Sequence, residues 1–133
     1  MKRLLYRWSG AVLLVAHFGV FGTAQAQQGC NLPRGSFDQV YCQAKVLIRA
    51  DDELNATYQK LLKRLNTAGQ ATLRQTQRAW LAGRDTDCVQ YDTDKGDLIS
   101  ADCAVDKTTE RLNFLNDRLR ECLSSGCQIS KLR

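Results

Sequence analysis

Beyond residue 26 this chain has no histidine and no methionine; its single examples are His17 and Met1. Without an imidazole, neither a Ser-His nor a Cys-His nucleophile can be assembled there. Zinc would have to rely on cysteines alone. None of the six cysteines stands in a C-x-x-C pair, so the pattern reads as disulfides rather than as a metal or redox motif. The only proline, Pro33, lies early in the chain, so long stretches after it have no helix breaker. No strand-like alternation, internal repeat or low-complexity tract is evident. These absences point to an all-α chain with no cofactor, no metal and no histidine-based catalysis.

The first 26 residues have the form of a Sec export signal. Lys2, Arg3 and Arg7 precede an apolar stretch from Ala11 to Phe21, and Ala24-Gln25-Ala26 makes a small-x-small cleavage site. His17 interrupts the apolar run, which is shorter than the roughly 20 residues a spanning helix needs, so no transmembrane anchor is expected. Gly29 suits the position before a lipid-modified cysteine at Cys30, but Gln27 and Gln28 do not suit those before it, so no lipid anchor is expected either. Cleavage after Ala26 would leave residues 27–133 as one domain. It would also take Lys2, Arg3 and Arg7 from the formal charge of +5, leaving +2. That balance gives no support to nucleic-acid binding.

Apolar spacing defines the helices. Phe37, Val40-Tyr41, Ala44, Leu47-Ile48, Asp51, Leu54-Asn55, Tyr58, Leu61-Leu62 and Leu65 keep a helical stripe from about residue 37 to 66. Ser36 and Gln39 have the spacing of a capping box at its start. Thr67-Ala68-Gly69 reads as a turn. A second helix is predicted from about residue 70 to 91, with Leu73, Gln77, Trp80-Leu81, Arg84, Cys88 and Tyr91 inward. Asp92 to Ser100 reads as a loop, and Ser100 can cap a third helix from about Ala101 to Leu123. The predicted architecture is an antiparallel three-helix bundle with a long first helix, stapled by disulfides.

This topology restricts the cysteines. Cys42, Cys88 and Cys103 fall toward one end, whereas Cys122 lies roughly 28 Å further along its helix. Bridged Cα atoms must come within about 7 Å, so Cys122 is expected to pair with Cys127. Cys88–Cys103 would staple the loop and Cys30–Cys42 would pin the lead-in, although those two pairings can be exchanged without breaking any geometric rule.

Asp51 falls on the apolar stripe of the first helix, where a carboxylate needs a partner. Trp80 and Arg84 share a face one turn apart on the second helix. Asp51 and Arg84 are therefore expected to form a buried pair, with Trp80 packed into the core beside them. Asp51, Asp52 and Glu53 cannot serve as a glycosidase carboxylate pair, because consecutive helical side chains diverge by about 100°. Asp92-Thr93-Asp94-Lys95-Gly96-Asp97 begins like a calcium loop, but its glycine is fifth rather than sixth and Cys103 stands where the twelfth-position glutamate belongs. With Asp85, Asp87 and Asp102, this loop reads either as an ordinary solvated loop or as an acidic knob for a basic partner. Tyr91, Asp92, Asp94, Lys95 and Asp97 are its candidate contact residues, and Tyr41 can join an interface at the same end. Arg74, Arg78, Arg118 and Arg120 read as solvated faces.

Longer strings carry a resemblance. They are Ala50-Asp51-x-Glu53-Leu54-Asn55-x-x-Tyr58-x-x-Leu61, then Gln77-Arg78-Ala79-Trp80-x-x-x-Arg84-Asp85-x-x-Cys88, then Cys103 with Thr108, Arg111 and Leu112. From Cys42 to Leu119 the chain resembles the LprI-type lysozyme-inhibitor domain, a family of small exported bacterial helical proteins. The second string is the most specific part of the match. The resemblance implies a non-enzymatic envelope protein, periplasmic or secreted, whose partner is a lysozyme or lysozyme-like muramidase. On this view Asp51, Asn55, Gln77, Trp80 and Arg84 form an internal polar latch, and the acidic loop blocks the partner by steric occlusion. The alternative is an envelope structural or adaptor protein without inhibitory activity. The chain departs from the family's named member, a lipoprotein, in its poor lipid-attachment sequence and its added Cys122–Cys127 tail.

Overall fold

The computed structural model describes residues 28–133, with side chains from Cys30 onward; the proposed export signal and its cleavage site lie outside the described residues. A one-turn helix α1 (Gln28–Asn31) leads into the long α2 (Ser36–Arg64). α3 (Thr67–Cys88) returns antiparallel to it. A hairpin of β1 (Val89–Asp92) and β2 (Gly96–Ile99) comes next, then α4 (Ala101–Ser124) and a terminal 3₁₀ turn, Ile129–Leu132. The three-helix bundle with a long first helix is thus present, with a small two-stranded sheet added at one end.

α2 and α4 run parallel and form the closest helix pair. Their cross-helix hydrogen bonds, Gln43 to Asp102 and Thr57 to Asn116, both span 59 positions, which fixes a constant register. Leu54, Leu61 and Leu65 of α2 meet Leu73 of α3 and Leu112 and Leu115 of α4. Leu132 folds back after the Cys122–Cys127 bridge and seals this core. Ion pairing between Lys131 and Glu121, 3.2 Å apart, ties the tail down. At the opposite end the α2–α4 contact is made through the small buried residues Ala50, Ala104 and Thr108, which offer little apolar area to bury.

Helix termini differ from the expected ones for identifiable reasons. Asn66, not the predicted turn, starts α3: its side chain accepts from the Gly69 N–H at 2.9 Å, so Thr67-Ala68-Gly69 becomes the first helical turn. Gly69 packs so closely on Leu65 that a Cβ there would stand 3.0 Å from the leucine Cδ2. The Ser36–Gln39 capping box does not form; Gly35 caps α2 without a side-chain bond, and Asp38 accepts from the Arg34 N–H instead. α3 stops at Cys88 because Val89 turns extended and pairs with Ile99.

The expected internal latch is also different. Arg84 Nη1 lies 4.0 Å from Asp51 Oδ1, but these side chains are 24% and 43% exposed, so the pair is solvated. Arg84 bonds more closely to its neighbour Asp85, at 3.2 Å, and Asn55 donates to Asp51 along α2. Gln77 takes no part in that pair. Its Oε1 accepts from Nε of Arg111 on α4 at 3.0 Å.

Arg111 is the buried cation of the bundle, only 9% exposed. Its guanidinium lies 4.8 Å from the Phe114 ring centre and 6.0 Å from that of Trp80, and it reaches Thr76 at 3.4 Å. Burial pushes its pKa below the usual arginine value, with Tyr58 acting weakly the other way. Trp80 is half-buried against the leucine core, and Arg84 stacks on it at 5.2 Å. Arg118, expected to be solvated, also covers Phe114 and pairs with Glu121.

Two substitutions separate these roles. Arg111→Ala removes charge-assisted bonds and cation–π contacts in a desolvated site, and should cost about 2–4 kcal/mol in denaturant unfolding. Arg84→Ala breaks a solvated pair and should cost about 0–1 kcal/mol. A larger loss for Arg84→Ala than for Arg111→Ala would restore the Asp51–Arg84 pair as the latch.

Candidate functional site: the hairpin and groove at the cysteine-rich end

All six cysteines are bridged. Cys30–Cys42 holds α1 against the start of α2, and Cys88–Cys103 joins the end of α3 to the start of α4, each with Cα atoms 5.4 Å apart. The second bridge closes the base of the hairpin. There Ser100 donates its backbone N–H to the Cys88 carbonyl at 2.9 Å, and its hydroxyl accepts from Cys103 N–H at the start of α4. Lys107 Nζ lies 2.7 Å from Asp87, and the hydrogen bond with that carboxylate raises the lysine pKa.

The segment from Val89 to Ile99 is therefore an ordered hairpin rather than a helix end followed by a loop. Its register pairs Val89 with Ile99, Gln90 with Leu98, Tyr91 with Asp97 and Asp92 with Gly96. Asp92 Oδ1 accepts from the N–H groups of Asp94 and Lys95, both at 2.9 Å, which makes an Asx-type turn. Gly96 closes the turn at φ +78°, a conformation that disfavours other residues. Asp92 is thus half-buried and committed to the turn. Asp94, Lys95, Asp97 and Tyr91 are exposed, Tyr91 to 76%.

Opposed residues in an antiparallel pair project from the same face, and so do residues two apart on one strand. Val89, Ile99, Tyr91 and Asp97 therefore share a face running from base to tip. Its base forms one wall of an open groove of about 420 Å³. Leu47 and Ile48 of α2 also line it, together with the buried Cys88 and Ala104. Most of the lining is apolar. Its charged residues are Asp51, Asp52 and Asp85 with a single cation, Arg84, which is already engaged by Asp51 and Asp85.

Two of the apolar side chains lining this groove are left uncovered by the fold. Ile48 is 61% exposed and Ile99 is 71% exposed. Phe37 and Tyr41 continue the same side of α2, exposed and stacked with ring centres 6.3 Å apart. Sequence reasoning placed Ile48 in a continuous buried stripe and did not single out Val89 or Ile99. Their only signal was alternation in Val89-Gln90-Tyr91, too short to separate from the helix before it. Among the described residues, no helix is long and apolar enough to cross a membrane, and no group of three His, Cys, Asp or Glu is placed to hold a metal ion.

The fold and this face define a small disulfide-stapled helical scaffold that presents one ordered acidic hairpin. Residues 30–115 match the family model described as lysozyme inhibitor LprI, and the chain belongs to that family. The match spans both bridges at the hairpin end and stops before the Cys122–Cys127 tail. No curated protein and no solved structure matches the chain.

Removing the bridge at the hairpin base gives a direct check on what holds this face. The Cys88→Ala/Cys103→Ala variant opens a loop of 15 positions and should lose about 3 kcal/mol of stability. Amide exchange over residues 89–99 should quicken more than in the α2–α4 core. Unchanged exchange in the hairpin would mean that its own strand pairing suffices.

Proposed function

We propose that this protein is an exported, non-enzymatic inhibitor that blocks a lysozyme-like muramidase by steric occlusion, acting in the periplasm or the medium. One observation carries the reading: in a chain of the LprI family, an ordered hairpin presents Asp94 and Asp97 to solvent beside Tyr91. Residues 1–26 serve as the signal peptide, and the six bridged cysteines suit the oxidising compartment to which it leads.

A rigid hairpin enters a substrate cleft at lower entropic cost than a mobile loop. Its carboxylates meet a basic cleft with complementary charge, which speeds encounter and fades with salt. Tyr91 supplies a large surface at the cost of few rotatable bonds. Lys95 lies at the turn and accounts for part of the charge balance. Asp92 acts indirectly, by shaping the turn.

The substitutions that test this must leave the turn intact, so Asp92 is kept. Asp94→Asn/Asp97→Asn should weaken inhibition of a basic lysozyme by about tenfold at low salt, chiefly through a slower on-rate, and by less at high salt. Inhibition equal to the parent's at both salts would remove the hairpin from the mechanism.

The exposed Phe37–Tyr41 stack favours a second reading, an envelope adaptor that binds another protein without inhibiting a muramidase. A folded, oxidised parent that forms a stoichiometric complex with another envelope protein and leaves muramidase activity untouched selects that reading.

A further inference from the structure

We infer that the groove between α2 and the hairpin is a docking slot for a basic, amphipathic polypeptide segment, one that carries a large apolar side chain flanked by lysine or arginine. The inference deepens the proposed function and rests on it for the identity of the partner: the segment belongs to the muramidase whose cleft the hairpin enters.

Three observations converge on this occupant. First, Ile48 and Ile99 both line the slot and are each more than half exposed. Such a pair leaves apolar area in water unless something covers it. Second, the slot's charges do not cancel. Three carboxylates line it against one guanidinium, and that guanidinium already faces two of them. A neutral apolar occupant, or a second acidic surface, would leave these carboxylates without a counter-charge; a basic segment supplies one. Third, the slot is continuous with the hairpin surface. Val89 and Ile99 at its wall share their strand face with Tyr91 and Asp97. A partner held by the hairpin tip therefore passes over the slot. An apolar centre with a charged rim is the arrangement that concentrates binding energy in a few residues.

The slot and the hairpin make separable contributions. The hairpin acids act at long range on encounter and are screened by salt. The slot acts at contact, through apolar burial, and keeps most of its effect at high salt. Ile48→Ser and Ile99→Ser each remove apolar surface from the slot at an exposed position without changing its charge, so the fold should tolerate them; circular dichroism and melting temperature establish that it does.

The test titrates a basic animal-type lysozyme, and separately a designed Lys/Leu/Trp amphipathic peptide, into the oxidised parent and both variants. Salt is held low in one series and at about 0.5 M in the other. The expected result is binding of both probes by the parent and a loss of about tenfold or more for each variant at both salts. Lysozyme binding that is equal in parent and variants overturns the slot while leaving the proposed function standing. Peptide binding lost in the variants, with no lysozyme binding by the parent, keeps the slot and overturns the proposed function. Binding of neither probe overturns both. A parent that dimerises while the variants stay monomeric means that a second copy covers the slot, which also overturns the inference.

Discussion

The apolar core of this protein fills only one end of its bundle, and most of its other features depend on that asymmetry. Leu54, Leu61, Leu65, Leu73, Leu112, Leu115 and Leu132 gather where α2 ends, α3 begins and the tail folds back. Toward the start of α2 the contact with α4 passes through Ala50, Ala104 and Thr108. Small side chains allow close approach but bury little surface, so apolar packing there contributes little to stability. Cys30–Cys42 and Cys88–Cys103 act at this end instead. A covalent bridge limits the unfolded chain without covering anything. Ile48, Ile99, Phe37 and Tyr41 can therefore stay outside in a structure that is still held together.

Arg111 connects the two halves. It is placed where α4 faces Gln77 and Thr76 of α3, between the leucines and the open end. Its cationic plane covers Phe114 and approaches Trp80, so the two aromatics are packed by a charged group that brings its own hydrogen-bond donors. No carboxylate is paired with it among the described residues. Amide, hydroxyl and ring faces share its stabilisation, which costs less desolvation than burying a second charge would. Trp80 thus borders the core on one side and the stacked Arg84 on the other, and the Asp51–Arg84 contact remains a solvated pair near the groove.

Helical spacing made the three long elements legible, because it persists over many turns of α2 and α4. It could not show how much of each stripe is covered. Leu47 and Leu54 stand seven residues apart at equivalent places in the pattern, yet Leu54 is buried by leucines and Leu47 lines an open slot. Coverage depends on side-chain size in the partner helix, which the spacing of one helix does not contain. The choice of arginine was hidden for a similar reason. Arg84 shares a helical face with Trp80, whereas Arg111 reaches the same ring from another helix. The hairpin was hidden because its strands are only four residues each, and Cys88 and Tyr91 continue the apparent helical face of α3. Asp92 and Gly96 carried the turn signal that separates the two readings. The candidate contact residues Asp94, Lys95, Asp97 and Tyr91 are exposed on this element, and the slot beside them became visible only once the hairpin register placed Val89 opposite Ile99.

Hydrogen–deuterium exchange on the oxidised protein, free and saturated with a basic lysozyme, tests the central claim that the cysteine-rich end is the working face. The account predicts slowed exchange over the hairpin, residues 89–99, and over the first half of α2, with the leucine-filled end unchanged. Protection confined to α4 beyond Thr108 and the terminal turn, or no protection at saturating lysozyme, would contradict it.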